Sequence, residues 1–351
     1  MFKPFPHKIN VTEFGHGIYS HRSLHYFCCE FSIMKNILLF LTPTLIWGST
    51  WFVIKFQVGN VDAMYSVAYR FGIAGVLMLA VSRLWKLKMN FTLKEHGYIL
   101  LQGLFLFGFN YWLIYISELY LTSGLVGLLF SLLVFLNILN GRIFLKTAFE
   151  YRVVLGALFG LIGTGLIFHK DLSQFSFSDD RVIGVMFAVS GTFVASLGNI
   201  TSAANQQRGI PVIPSNAYGM SYGALAMFLI AVVSGKPITF EMNPSYIGSL
   251  FYLAILGSVV AFGAYLTLIG NIGAGKAAYV SVIAPVIALL LSTIFEDYTW
   301  SFYSLAGSVL ILAGNIIALS RPKPKTSFPR VQEMEVPVQT LEKNLPDQLT
   351  E

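Results

Sequence analysis

Eight stretches of this chain carry no charged side chain at all: Gly97–Ser117, Leu119–Gly141, Val153–Phe168, Val182–Gln207, Gly209–Gly235, Met242–Gly275, Ala277–Phe295 and Tyr298–Ser320. A helix needs roughly 17–25 apolar residues to cross a hydrocarbon core about 30 Å thick, and nearly every run reaches that length. Asn36–Ile54 is a ninth candidate, and Ala63–Ser82 is a tenth whose single charge is Arg70. A run such as Leu125–Leu136 is apolar all round, whereas a barrel strand alternates apolar and polar residues over about ten positions. Inside lipid only a helix satisfies the backbone groups of such a run. Ten membrane helices are therefore expected.

Composition agrees. Of 351 residues only 11% are charged, against about 25% in soluble domains, and the mean hydropathy is +0.68. With both termini inside, the cytoplasmic loops hold nine basic residues (Arg83, Lys86, Lys88, Lys94, Arg142, Lys146, Arg152, Arg208, Lys276) and the outer loops four (Lys55, Lys170, Arg181, Lys236). Cytoplasmic loops are the basic ones, so the expected placement is a bacterial inner membrane, multi-pass, with both termini cytoplasmic. The net charge of +6 then answers to anionic lipid headgroups, and membrane lipids rather than nucleic acid are the expected partners.

The tails read differently. Residues 1–33 hold both cysteines, Cys28 and Cys29, and four of the six histidines. Adjacent cysteines lack the spacing of a zinc site, so no metal is expected. There is no continuous apolar core before Phe31, which argues against a signal peptide. Residues 1–33 read as a disordered lead, or as an over-called start ahead of Met34. Residues 321–351 turn rich in Pro, Lys and Glu and read as a disordered cytoplasmic tail.

Sliding the sequence by 151 positions aligns Leu119–Phe168 with Gly270–Leu319 without a gap. Gly124 then meets Gly275, Gly156 meets Gly307 and Gly163 meets Gly314. Glycines in register carry more weight than matched leucines, because glycine lets membrane helices approach closely. Five helices per half is an odd number, so the second half enters from the opposite side. The substrate site of such an inverted duplication lies between the halves near the midplane.

Several stretches resemble a known family. Trp47-Gly48-Ser49-Thr50-Trp51 in the first span, Arg70-Phe71-Gly72-Ile73-Ala74 in the second and Glu118-Leu-Tyr-Leu-Thr-Ser-Gly124 before the fourth are similar to the drug/metabolite transporter superfamily, in its ten-helix branch with two EamA-type modules. So is Gly275-Lys-Ala-Ala-Tyr-Val-Ser-Val-Ile-Ala-Pro285, closing on Phe295-Glu296. The resemblance covers roughly residues 36–320. It departs where Val134 faces Pro285 and Leu145 faces Glu296 across the repeat, so a symmetrical gating role for the proline and acid does not carry over. What it implies is solute export or exchange, with no particular solute.

Polar groups inside spans are costly and face a cavity or a partner helix. Arg70 reads either as an anchor for a substrate carboxylate or phosphate, or as a structural arginine held by carbonyls or snorkelling outward. The third span supplies Asn110 and Tyr111, then Tyr115 and Glu118. The last three share one helical face; Glu118, at the outer end, is either solvated or proton-carrying. The sixth span presents Thr192, Ser196 and Asn199, a stripe that suits a cavity or interhelical hydrogen bonds. Trp47 and Trp51 lie four apart well inside span one, and Tyr265 and Tyr279 fall in or near second-half spans. Aromatic walls with few polar tips suit a mostly apolar or zwitterionic solute, and core packing explains them as well.

No paired carboxylates, His-Glu-x-x-His, Gly-rich phosphate loop or Ser-His-Asp set occurs in the spans, so no enzymatic activity and no cofactor are expected. The reading is an all-α membrane protein of ten transmembrane helices in two inverted-topology five-helix modules, 34–170 and 181–320. It is expected to carry a small organic solute, such as an amino acid or related compound, by alternating access. The rival is a membrane-embedded enzyme or lipid-handling subunit. With no acid in a span beyond the peripheral Glu118, facilitated diffusion or exchange is expected ahead of obligatory proton coupling. Oligomeric state is not readable.

Overall fold

The computed structural model describes residues 20–146, 151–167, 180–272, 277 and 279–319. Among them every regular element is helical. The helices are α1 (Ser20–Ile54), α2 (Ala63–Leu84), α3 (Leu93–Ser117), α4 (Ser123–Leu145), α5 (Tyr151–Ile167), α6 (Asp180–Gln207), α7 (Val212–Val233), α8 (Pro244–Ile272), α9 (Val280–Phe295) and α10 (Phe302–Leu319). Seven are long and apolar enough to cross a membrane, and α5, α9 and α10 are shorter apolar helices. This is the expected ten-helix membrane fold.

The termini of these helices are written locally. Asp62 caps α2 by accepting from the Met64 amide. Thr92 and Glu95 form a reciprocal capping box at α3, which satisfies two otherwise orphaned donors. Asn243 caps α8, with Pro244 in its first turn, where a missing N–H costs nothing. One boundary differs from the sequence reading. The helix of α1 begins at Ser20, ahead of the apolar pattern that starts at Met34. Residues 1–19 and the tail 321–351 lie outside the described residues.

The chain is built inside out relative to a soluble protein. Leu84, Val76, Leu225, Leu290 and Ile294 are exposed, while Arg70, Gln102, Asn110, Asn199, Asn216 and Asn315 are buried. That inversion suits a hydrocarbon solvent, which covers exposed apolar surface at no cost.

The halves pack as a two-fold exchange requires. Helix α2 lies on its counterpart α7, and α5 on its counterpart α10; α1 packs on α8 and α9, as α6 packs on α3 and α4. Both α3 and α8 are interrupted by one π-helical turn, at Leu104–Phe109 and Ile255–Val260. These start 151 positions apart, the offset of the glycine register. Such turns leave carbonyls outside the regular ladder and mark functional places in helices. The α4 helix breaks at Ser131–Leu132, whereas α9 runs unbroken from Val280 to Phe295 with Pro285 inside it.

Candidate transport cavity

A cavity sits between the halves, walled by α1 and α3 of the first and by α6, α8 and α9 of the second, with Phe130 and Leu133 of α4 flanking the helix break. Of the residues singled out in the sequence, Trp47, Trp51, Asn110, Tyr111, Asn199 and Tyr265 line it. They come from two pairs of equivalent helices, α1 with α6 and α3 with α8. This is how side chains far apart in sequence reach one depth.

The wall is aromatic and ordered. Trp47 stands edge-on to Phe262 and to Tyr265, each with ring centres 4.9 Å away. Its indole Nε1 donates to the Gly257 carbonyl at 3.1 Å, an oxygen within the second π-helical turn. In the first half the Asn110 amide donates, weakly at 3.4 Å, to the Leu106 carbonyl, again within a π-helical turn. Trp51 packs against Phe130 at 5.0 Å. Against these rings stand three polar atoms that are buried and have no hydrogen-bond partner among the described residues: Trp51 Nε1, Asn110 Oδ1 and the Tyr265 hydroxyl. Buried polar groups are nearly always paired, and each unpaired one costs about 1–3 kcal/mol. Trp51 thus supplies an unpaired donor, Asn110 an unpaired acceptor and Tyr265 an unpaired hydroxyl.

Arg70 does not reach this surface. It is fully buried one layer behind, its guanidinium 4.4 Å over the ring of the wall residue Tyr111 and 5.1 Å from Phe71. Nε donates to Ser258 Oγ at 3.0 Å and Nη1 to the Tyr115 hydroxyl at 3.4 Å; Nη2 has no partner among the described residues. Among the described residues no carboxylate forms an ion pair with it. Tyr115 is buried beside it. The stripe on α6 divides: Asn199 lines the cavity, Thr192 bonds back to the Ala188 carbonyl, and Ser196 accepts from Asn140 on α4 at 2.9 Å, a helix-to-helix bond. Tyr279 caps α9 and is not part of the wall. Glu118 is neither in the cavity nor solvated; it is buried just beyond it.

Sequence reading missed Thr50, Phe262, Ser281 and Pro285, all of which line the cavity. Thr50, Phe262 and Ser281 each lie within four residues of a residue it did select, and Pro285 lies six from Tyr279, so the spacing signal was present for three of the four. What the spacing lacked was the rotation of each helix. The cavity is narrow in this conformation, leaving about 50 Å³ for the centre of a water-sized sphere. That is room for a few waters.

The EamA-like transporter family profile matches the chain in two stretches, residues 34–169 and 182–320. The chain is 24% identical to the "Uncharacterized transporter YyaM" of Bacillus subtilis (strain 168), over 81% of this chain and 94% of that protein. It is 26% identical to the "Uncharacterized inner membrane transporter YedA" of Escherichia coli (strain K12), over 79% and 88%. A crystal structure at 19% identity superposes with a TM-score of 0.62 over 81% of this chain and 96% of the other, which shows a shared fold. With matched halves that together span most of its length, a ten-helix duplicated fold and a walled cavity between the halves, this chain belongs to the EamA-like transporter family.

Proposed function

We propose that the protein is a secondary transporter that moves a small organic metabolite of no net charge, an amino acid zwitterion or a related compound, through the central cavity by alternating access. The observation that supports this best is the set of unpaired polar atoms on an aromatic wall: Trp51 Nε1, Asn110 Oδ1 and the Tyr265 hydroxyl. No described lining residue is charged, and a net-charged solute would be desolvated there without a partner. Aromatic faces supply area and the polar tips supply orientation.

The Tyr265 hydroxyl separates function from stability. Among the described residues it bonds to nothing, so Tyr265→Phe leaves the melting temperature unchanged or higher. Loss of a hydrogen bond to solute worth about 1–2 kcal/mol weakens apparent affinity roughly 5- to 30-fold. An uptake and efflux screen of labelled amino acids, nucleosides and related metabolites in proteoliposomes identifies the solute, and the variant is then compared with the parent. Equal affinity in both would remove Tyr265 from the solute path.

The nine-to-four bias of basic loop residues supports a bacterial inner-membrane orientation with both termini cytoplasmic. Reporter fusions after residues 90, 147 and 325 are expected to read cytoplasmic, and a fusion after residue 175 periplasmic. Two fusions reading the opposite way would sink this orientation.

A further inference from the structure

The end of the bundle that holds the tip of α1 is closed by three ionisable groups from three elements. Lys55 lies in the single 3-10 turn that ends α1, Glu118 follows α3, and Glu296 caps α9. Lys55 Nζ donates to the backbone carbonyls of Glu118 and Leu121, both at 2.6 Å. It lies 3.7 Å from Glu118 Oε2 and 3.9 Å from Glu296 Oε1, beyond good hydrogen-bonding distance. One ammonium, with two of its protons committed to backbone, therefore faces two carboxylates.

The two acids are not equivalent. Glu296 accepts from the Ser123 amide at 3.2 Å and from the Ser123 hydroxyl, and its side chain keeps 12% exposure. Glu118 has a fully buried side chain, and among the described residues neither of its oxygens has a hydrogen-bond partner. An anion in that position is desolvated, repelled by Glu296 and only partly neutralised. Burial raises its carboxyl well above the usual carboxylate range, Lys55 opposes this and Glu296 adds to it. The groups facing Glu118 are Lys55 from α1, Glu296 from α9 and Tyr115 from α3 itself. Helix α6, which approaches Tyr120 and Leu121 through Gly184, carries Asp180 and Arg181 in its exposed first turn.

The cluster also forms the cap of the cavity. Ile54 and Ile114 both line it; Lys55 follows the first directly, and Glu118 lies one helical turn beyond the second. Opening this end separates Lys55 and Ser123 of the first half from Glu296 of the second, and lets water reach Glu118.

We propose that Glu118 is a proton-binding site: it holds a proton while this end of the cavity is closed and releases it when the end opens, so that solute movement is proton-linked. The sign follows from the two environments. Closed, the carboxyl is raised; open, it is hydrated and ordinary. The closed state is fully favoured below the ordinary carboxylate pKa, and it loses that advantage as pH rises toward the raised value. The consequence for solute rests on the transport reading, but the site is tested without any solute, so the two fail separately.

The probe is the proton itself. Thr122 has a buried hydroxyl without a partner beside the cap, so Thr122→Cys, with Cys28 and Cys29 replaced by serine, reports opening through its rate of maleimide labelling in nanodiscs. Rates are normalised at each pH to those of free cysteine. As pH rises above the ordinary carboxylate range the normalised rate is expected to climb by up to roughly tenfold per unit, the slope of a one-proton equilibrium. Glu118→Gln is expected to flatten the profile at the closed level. Glu296→Gln relieves the repulsion, so the climb should level off at a lower pH. A flat profile in the parent, or the same climb in Glu118→Gln, would overturn the proposal. If Glu118→Gln fails to fold, Glu296→Gln decides: a climb that levels off at the parental pH overturns it equally.

Discussion

Replacing Gly307 with leucine is expected to prevent the protein from accumulating in the membrane. Helices α5 and α10 meet backbone against backbone. A Cβ on Gly307 would collide with the Gly163 carbonyl oxygen and stand 2.7 Å from Ile167 Cγ1. A Cβ on Gly163 would stand 2.5 Å from the Gly307 oxygen, and one on Gly314 2.6 Å from the Gly156 oxygen. A carbonyl in a helix cannot rotate away as a side chain can, so the only relief is to part the helices. In lipid there is no hydrophobic drive to restore them, and packing is what holds membrane helices together. Overpacking in a tight core typically costs about 1–3 kcal/mol and sometimes more, and three backbone contacts are at stake. Gly307→Ala should lower the melting temperature in detergent measurably, and Gly307→Leu should abolish folded yield. Gly263 provides the control: a Cβ there meets nothing within 4 Å, and alanine is favoured over glycine in a helix by about 1 kcal/mol. Gly263→Ala is therefore neutral or stabilising. A Gly307→Leu protein with parental yield and melting temperature would show that the α5–α10 crossing is not what joins the halves.

Arg70→Met is expected to leave the melting temperature unchanged or higher while cutting transport of the solute by about tenfold or more. The guanidinium is a buried cation with an unpaired Nη2 and only neutral partners, Ser258 and Tyr115. An apolar side chain of similar length removes its desolvation cost, and such replacements are commonly neutral or stabilising. What is lost is position. Arg70 holds Tyr111 from behind and grips Ser258 inside the second π-helical turn, whose neighbour Gly257 receives the Trp47 indole. One side chain thus ties the cavity wall of the first half to that of the second. A charge-assisted hydrogen bond is worth about 1.5–3 kcal/mol, which corresponds to roughly ten- to hundredfold in affinity. Arg70→Lys should behave like Arg70→Met in transport, because an ammonium cannot stack on Tyr111 and reach both hydroxyls. A direct anchor for a substrate carboxylate would instead keep part of its activity as lysine. Parental transport by Arg70→Met would make the residue incidental, and failure of Arg70→Met to accumulate would make it structural.

The secondary structure and the duplication were legible in the sequence for a physical reason. Hydrocarbon forces every spanning segment to satisfy its own backbone, so length and charge-free composition identify helices without any tertiary information. The glycine register at 151 positions was legible because close helix crossings admit almost no other residue. Tyr265, Trp47, Trp51, Tyr111, Asn110 and Asn199 were recognisable as costly or amphipathic groups at depth. Thr50, Phe262, Ser281 and Pro285 were missed, since which face of a helix meets the cavity depends on its rotation against neighbours. Arg70 and Glu118 show where sequence reasoning stops. The sequence by itself determined that an arginine lies inside a span and that a glutamate stands at the end of one. Only the tertiary structure decided that a tyrosine ring separates the arginine from the cavity, and that Lys55 and Glu296 close over the glutamate. Burial, pairing and the meaning of a charge are properties of what surrounds a group, and those surroundings come from helices far away in the chain.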